Sequence, residues 1–216
     1  EFALAQQRVA NTVRQRAANP VSLAGDVFTG LLYGDHVLGL PQLGSVESID
    51  DITLDDLRAY HTANVAPAHA AFHVAGDVSE DEVVASLAGI AERWSGDAPT
   101  LPTPPTWDGS KAGLYLVDVP NASQSVLRIG YLALSESDPD FYPATVMNFR
   151  LGGGGFASEL TQVLREQRGY TYGIGSGFSG TDAPGPFQIS SSVRSNITFD
   201  ALDVVKDIVE AHGPEF

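Results

Sequence analysis

The segment from Asp97 to Lys111, DAPTLPTPPTWDGSK, carries four prolines and almost no aliphatic residue. Proline fixes φ and removes a backbone donor, so this stretch can hold neither a helix nor an interior strand. It reads as a linker that separates residues 1–96 from residues 112–216. A chain of 216 residues buries roughly 70% of the surface it exposes when unfolded, so a substantial core is expected. The hydrophobic fraction of 43% and charged fraction of 18% exclude a disordered or collagen-like chain.

The two sides of the linker differ in pattern. Before it, residues 2–18 and 21–33 carry apolar residues at helical spacing and are parted by Asn19-Pro20. Thr53-Leu-Asp-Asp56 and Ser79-Glu-Asp-Glu82 each place an acid three residues after a hydroxyl, the pattern of a capping box, and each opens a predicted helix. Between them Ala70–Val78, AAFHVAGDV, reads as a short buried strand. After the linker strands dominate: Gly113–Val119, Ser125–Leu134, Thr171–Phe178 and Phe187–Arg194. Helices are expected at about 141–151 and 157–168, and a last one runs from a Thr198 cap to Gly213-Pro214. This order predicts an α+β fold with antiparallel pairing rather than a doubly wound parallel sheet.

Charge and composition remove several functions. A net charge of -15 argues against binding nucleic acid or anionic lipid, whose phosphates require clustered Lys and Arg. With no cysteine, thiol nucleophiles, disulfides, iron–sulfur clusters and Cys-ligated zinc are excluded together, while the compartment stays open. No run approaches the ~18 apolar residues of a membrane span. The opening, Glu-Phe-Ala-Leu-Ala-Gln-Gln-Arg, has neither an initiator nor a signal-peptide pattern, so the chain is expected to be a section of something longer.

Most conspicuous motifs fail on context. Gly152, Gly153, Gly154 and Gly155 resemble a phosphate loop, but no Lys-Ser/Thr comes after them and the preceding segment reads as helix. The literal GxGxxG at Gly175, Gly177 and Gly180 runs into Thr-Asp-Ala-Pro, a turn. His69 and His73 have the four-residue spacing of a zinc helix but lack a glutamate between them. On a strand they would stand roughly 13 Å apart, too far to share one ion. Asp50-Asp51 and Asp55-Asp56 read as solvated helix starts.

The informative stretch is Leu164-Arg-Glu-Gln-Arg-Gly-Tyr-Thr-Tyr172. A helix burying Leu160, Val163 and Leu164 reaches Gly169, which can take the left-handed conformation that ends helices. The chain then enters a strand. That turn can bring Arg165 near Tyr172, giving a guanidinium and a phenol suited to a carbonyl or carboxylate oxygen. Spacing alone favours the plainer reading, a surface arginine and an amphipathic core tyrosine.

LGGGGFASELTQVLREQRGYTYGIGSGF at 151–178 resembles the glycine-rich turn, helix and Leu-Arg…Gly…Tyr segment of the insulinase/pitrilysin family of zinc metallopeptidases, which includes the mitochondrial processing peptidases. LLYGDHVLGLPQLGSVESIDDITLDDLRAYH at 31–61 and HVAGDV at 73–78 resemble the stretch these proteins carry after their metal site. The resemblance implies α+β units in tandem. Residues 1–96 would be the later part of one unit, 97–111 the linker, and 112–216 the earlier part of the next.

The family's zinc site is an inverted His-x-x-Glu-His with a further glutamate downstream. The first motif is absent, and the segment resembling the glutamate-bearing helix, about Phe2 to Arg16, contains no glutamate. The expectation is therefore no catalytic and no metal residue in this chain, with zinc belonging to a partner or a section outside it. Arg165 and Tyr172 do match the family's Arg/Tyr pair, which implies substrate binding and oxyanion support and reverses the plainer reading. The resemblance further implies that Gly152–Gly155 lets a peptide backbone approach as an added edge strand. Glu159 departs from the arginine usual after the serine. The implied partners are a peptide substrate and a domain or subunit bearing His-x-x-Glu-His. The alternatives are a structural or interaction subunit without peptidase work and, less favoured, a self-sufficient peptide-binding module.

Overall fold

Asn19 starts the second helix of the chain by the chemistry its side chain offers. Its Oδ1 accepts hydrogen bonds from the backbone nitrogens of Val21 and Ser22, and Pro20 fills the first helical position, where no donor is needed. Helix α1 (Phe2–Ala17) precedes this break and α2 (Pro20–Tyr33) comes after it. The computed structural model describes residues 1–97, 100, 103–106 and 109–213. The fold is α+β with antiparallel strands, and the chain divides into two units: residues 1–10 with 46–103, and residues 11–45 with 104–216. The division at 103/104 falls inside the proline-rich segment.

The first unit is helical. Besides the start of α1 it holds α3 (Val46–Asp51), α4 (Leu54–Asn64) and α5 (Glu80–Ala91). Gln6 of α1 donates from Nε2 to the carbonyls of Ile49 and Ile52, at 2.8 and 3.1 Å, closing the end of α3. Both predicted capping boxes are formed, Thr53 with Asp56 on α4 and Ser79 with Glu82 on α5.

The expected strand Ala70–Val78 is absent from this unit. The segment runs without strand pairing, and Phe72, Val74 and Val78 stand more than half exposed. A strand is stable only beside another, and no described residue pairs with this one. Gly113–Val119 of the second unit departs from expectation in the same way, with Leu114 and Leu116 exposed and no ladder formed.

The second unit is built on a three-stranded antiparallel sheet of β1 (Gln124–Leu132), β2 (Thr171–Phe178) and β3 (Pro186–Arg194), in the order β1-β3-β2. Helix α6 (Phe141–Asn148) leads into a π-helical turn at Phe149–Gly153, a short 3-10 turn at Gly155–Ala157 and a π-helical stretch at Thr161–Gln167. Helix α7 (Thr198–His212) closes the unit. Leu127, Leu160, Leu164, Ile174, Ile189, Val193, Ala201 and Val205 form one core between the sheet and these helices. Thr198 is not the cap of α7 but its first residue, and its hydroxyl lies 2.7 Å from Ser125 Oγ, tying the helix start to β1.

The capping carboxylates make the first unit acid-sensitive. The Thr53 hydroxyl and backbone hold Asp56 below its ordinary value, and the Ser79 backbone and hydroxyl do the same for Glu82. A carboxylate depressed in the folded state stabilises fully above its unfolded value, and that contribution is lost as pH falls through the folded value. The helical circular-dichroism signal is therefore expected to decline on acidification through and below the ordinary carboxylate range. The Asp56→Asn, Glu82→Gln double variant should lack that step and begin with less helix at neutral pH. Superimposable titrations of parent and variant would show that the boxes contribute nothing.

Candidate functional site

The site grows from the turn between α6 and β2. Gly152 is buried, and a Cβ there would overlap the side chain and backbone nitrogen of Ser176 on β2. Asn148, at the end of α6, locks the same contact from the other side. Its Nδ2 donates to the Ser176 carbonyl at 2.9 Å, and Ser176 Oγ donates to its Oδ1 at 2.5 Å. Gly153 and Gly154 likewise have atoms of Asn148 and Phe149 where a Cβ would stand. Gly155, at φ 56°, has open space and turns the chain back through a left-handed conformation.

Ser158, fully buried, lies 2.7 Å from the Gly155 carbonyl and 3.1 Å from Thr161 Oγ1, which donates to the Ile174 carbonyl on β2. Glu159 meets His212 of α7 at 2.5 Å, so this departure from the expected arginine has a partner in the fold. Leu160 and Leu164 point wholly into the core. Gly169, at φ 62°, ends the π-helical stretch, its nitrogen donating to the Arg165 carbonyl while Tyr170 donates to the Leu164 carbonyl.

This path brings Arg165 and Tyr172 together across the turn at Gly169. The Arg165 guanidinium carbon lies 4.9 Å from the Tyr172 ring centroid and 4.5 Å from that of Phe156, so the cation stands against two aromatic faces. Arg165 Nε is also 3.3 Å from the Glu166 carboxylate. The Arg165 side chain is only 28% exposed, whereas Tyr172 is 88% exposed and its hydroxyl bonds to no described residue. The pair can donate outward, Arg165 as a charged fork and Tyr172 as a neutral hydroxyl. Phe156 carries no signal of this role in the sequence, although it directly follows the four glycines. Gln162 Nε2 holds its carbonyl at 2.6 Å.

Among the described residues no group of three His, Asp or Glu could hold a metal ion. The His69 side chain lies outside the described set, and His73 is exposed.

A family model described as the peptidase M16 inactive domain matches residues 51–212. An uncharacterized zinc protease of Streptomyces coelicolor is 28% identical over 195 residues, covering 88% of this chain and 42% of that protein. One of Bacillus subtilis is 28% identical over 185 residues, covering 82% and 42%. The chain thus spans less than half the length of these relatives. The crystal structure of a peptidase M16 inactive domain from Pseudomonas fluorescens superposes with a TM-score of 0.88 at 29% identity, covering 98% of this chain and 51% of that one. A protease from Helicobacter pylori shares the fold at a TM-score of 0.81 and 22% identity, covering 98% and 51%.

The glycine turn supplies a direct test. Gly152→Ala should lower stability by about 1–3 kcal/mol, the scale of forcing one group into a packed site, as read from denaturant midpoints. Gly177→Ala, where a Cβ meets nothing within 4 Å, should cost far less. Equal stabilities would mean that the turn yields to the extra methyl and does not clamp β2.

Proposed function

The chain belongs to the peptidase M16 inactive-domain family, and from that premise we propose that it is the substrate-positioning section of a zinc peptidase, non-catalytic by itself. The observation that carries this reading is the Arg165 guanidinium held between Phe156 and Tyr172, beside a phenol with no partner among the described residues. Both side chains are set in place by buried neighbours along the chain, and both have donors to offer.

A peptide carbonyl reaching this pair would accept a charge-assisted hydrogen bond from Arg165 and a neutral one from Tyr172. These bonds strengthen as negative charge gathers on the oxygen during hydrolysis, so they favour the transition state over the bound peptide. The rings beside Arg165 reduce its freedom before substrate arrives, which lowers the cost of ordering it. Gly155, open above its Cα, is the one glycine of the 152–155 run with room for a peptide backbone to approach. Zinc chemistry, implied by the relatives' names, would be supplied by a section bearing His-x-x-Glu-His outside this chain. In this reading residues 1–96 are the later part of one family unit and 112–216 the earlier part of the next.

In the complete assembly, Arg165→Ala or Tyr172→Phe should each lower peptide hydrolysis by about 100-fold, the scale of losing one oxyanion donor. Unchanged turnover in both would return the chain to a scaffold role. The purified chain should hold well below one equivalent of zinc by elemental analysis after dialysis, and a tightly bound stoichiometric ion would contradict the division of labour.

A further inference from the structure

Beside the Arg165–Tyr172 pair lies a second group of donors, on the sheet itself. β3 reads Ile189-Ser-Ser-Ser-Val193. Ser191 is buried, and its hydroxyl lies 3.0 Å from both Thr171 Oγ1 and the Gly173 carbonyl. Strand alternation turns Ser190 and Ser192 to the opposite face from Ser191. There Arg128 of β1 is the cross-strand neighbour of Ser190, and Val126 that of Ser192. A cleft of about 360 Å³ opens over this face, bordered by Gln124, Arg128, Tyr172, Ser190 and Ser192, with Val21 of α2 at its apolar side.

The chemistry of the cleft is one-sided. The side chains of Gln124, Arg128, Tyr172, Ser190 and Ser192 make no hydrogen bond or ion pair with any described residue. No carboxylate of the described residues lines the cleft. Burial alone holds the Arg128 guanidinium below its ordinary value, with no acid to compensate it. A half-buried cation without a counter-ion is costly in a chain of net charge -15, where acids are plentiful. One guanidinium flanked by hydroxyls and an amide matches a planar monoanion, which accepts a bidentate fork and leaves lone pairs for neutral donors. A phosphate would bring more charge than a single arginine offsets.

We propose that Arg128, with Gln124, Ser190, Ser192 and Tyr172, forms a carboxylate-binding cleft that anchors an acidic group of a bound peptide. The inference rests on the reading of this chain as a peptide-binding section and adds the class of peptide that it prefers. Tyr172 belongs to both sites, its ring against Arg165 and the residue also lining the cleft, so one peptide can engage both. The carboxylate can come from a peptide's C-terminus or from a Glu or Asp side chain.

The test is fluorescence anisotropy of the full chain with four labelled versions of one peptide, pairing a C-terminal acid or amide with an internal Glu or Gln. A carboxylate in the cleft should tighten binding about tenfold over its neutral counterpart, the scale of one charge-assisted pair. Whichever substitution removes that gain names the source. Arg128→Gln should abolish the preference, and Ser190→Ala with Ser192→Ala, which leaves the charge in place, should reduce it. Arg165→Ala should weaken all four peptides alike and keep the preference. Equal binding of all four peptides, or a preference that survives Arg128→Gln, overturns the cleft while leaving the peptide-binding reading intact. No binding of any peptide removes both.

Discussion

Leu160 and Leu164 are wholly removed from solvent, and their burial against Ile174, Val193 and Val205 fixes the rotation of the segment that carries them. Two fully buried leucines contribute on the order of 1.5–3 kcal/mol each through apolar area removed from water. No other phase of this helix could retain that gain. Arg165 comes directly after Leu164, so the same rotation carries its guanidinium to the rim of the core, where Phe156 and Tyr172 flank it. The donor pair is a consequence of core packing and needs no strained residue of its own.

The polar contacts beneath it act in the same direction. Asn148, Ser158 and Thr161 are buried, and each finds a partner: Asn148 on Ser176, Ser158 on Gly155 and Thr161 on Ile174. Among the described residues no buried side-chain nitrogen or oxygen lacks a hydrogen bond. Satisfied buried networks rigidify the elements they join, here the glycine turn, the π-helical stretch and β2. The two π-helical stretches fit this picture, since a widened turn re-aims the side chains around it and recurs near functional sites. Of the turn's glycines, Gly152 is explained by how close Ser176 of β2 comes, and Gly153 and Gly154 by the closeness of Asn148 and Phe149.

Legibility in the sequence depends on the range of the interactions. The capping boxes at Thr53 and Ser79 are readable because hydroxyl and acid lie three residues apart and meet in any helix that starts there. Gly169 is readable as a helix end for the same local reason. Strands β1, β2 and β3 are readable because β3 lies between the other two and pairs with both. Ala70–Val78 and Gly113–Val119 have equally strand-like composition and form none, because composition does not provide a neighbour. Phe156 reads as one more residue after a glycine run, and Arg128 as one charge in an alternating strand.

The sequence by itself determined the break at Asn19-Pro20, the capping-box starts of α4 and α5 and the helix end at Gly169, all of which arise from spacing along one segment. Only the tertiary structure decided that Phe156 closes the second face of Arg165, that Glu159 meets His212, and that Arg128 shares a cleft with Ser190 and Ser192. These residues lie 9, 53 and some 60 positions apart. What joins them is the register of β1 on β3 and the burial of Leu160 and Leu164, which arise when separate segments exclude water from a common core.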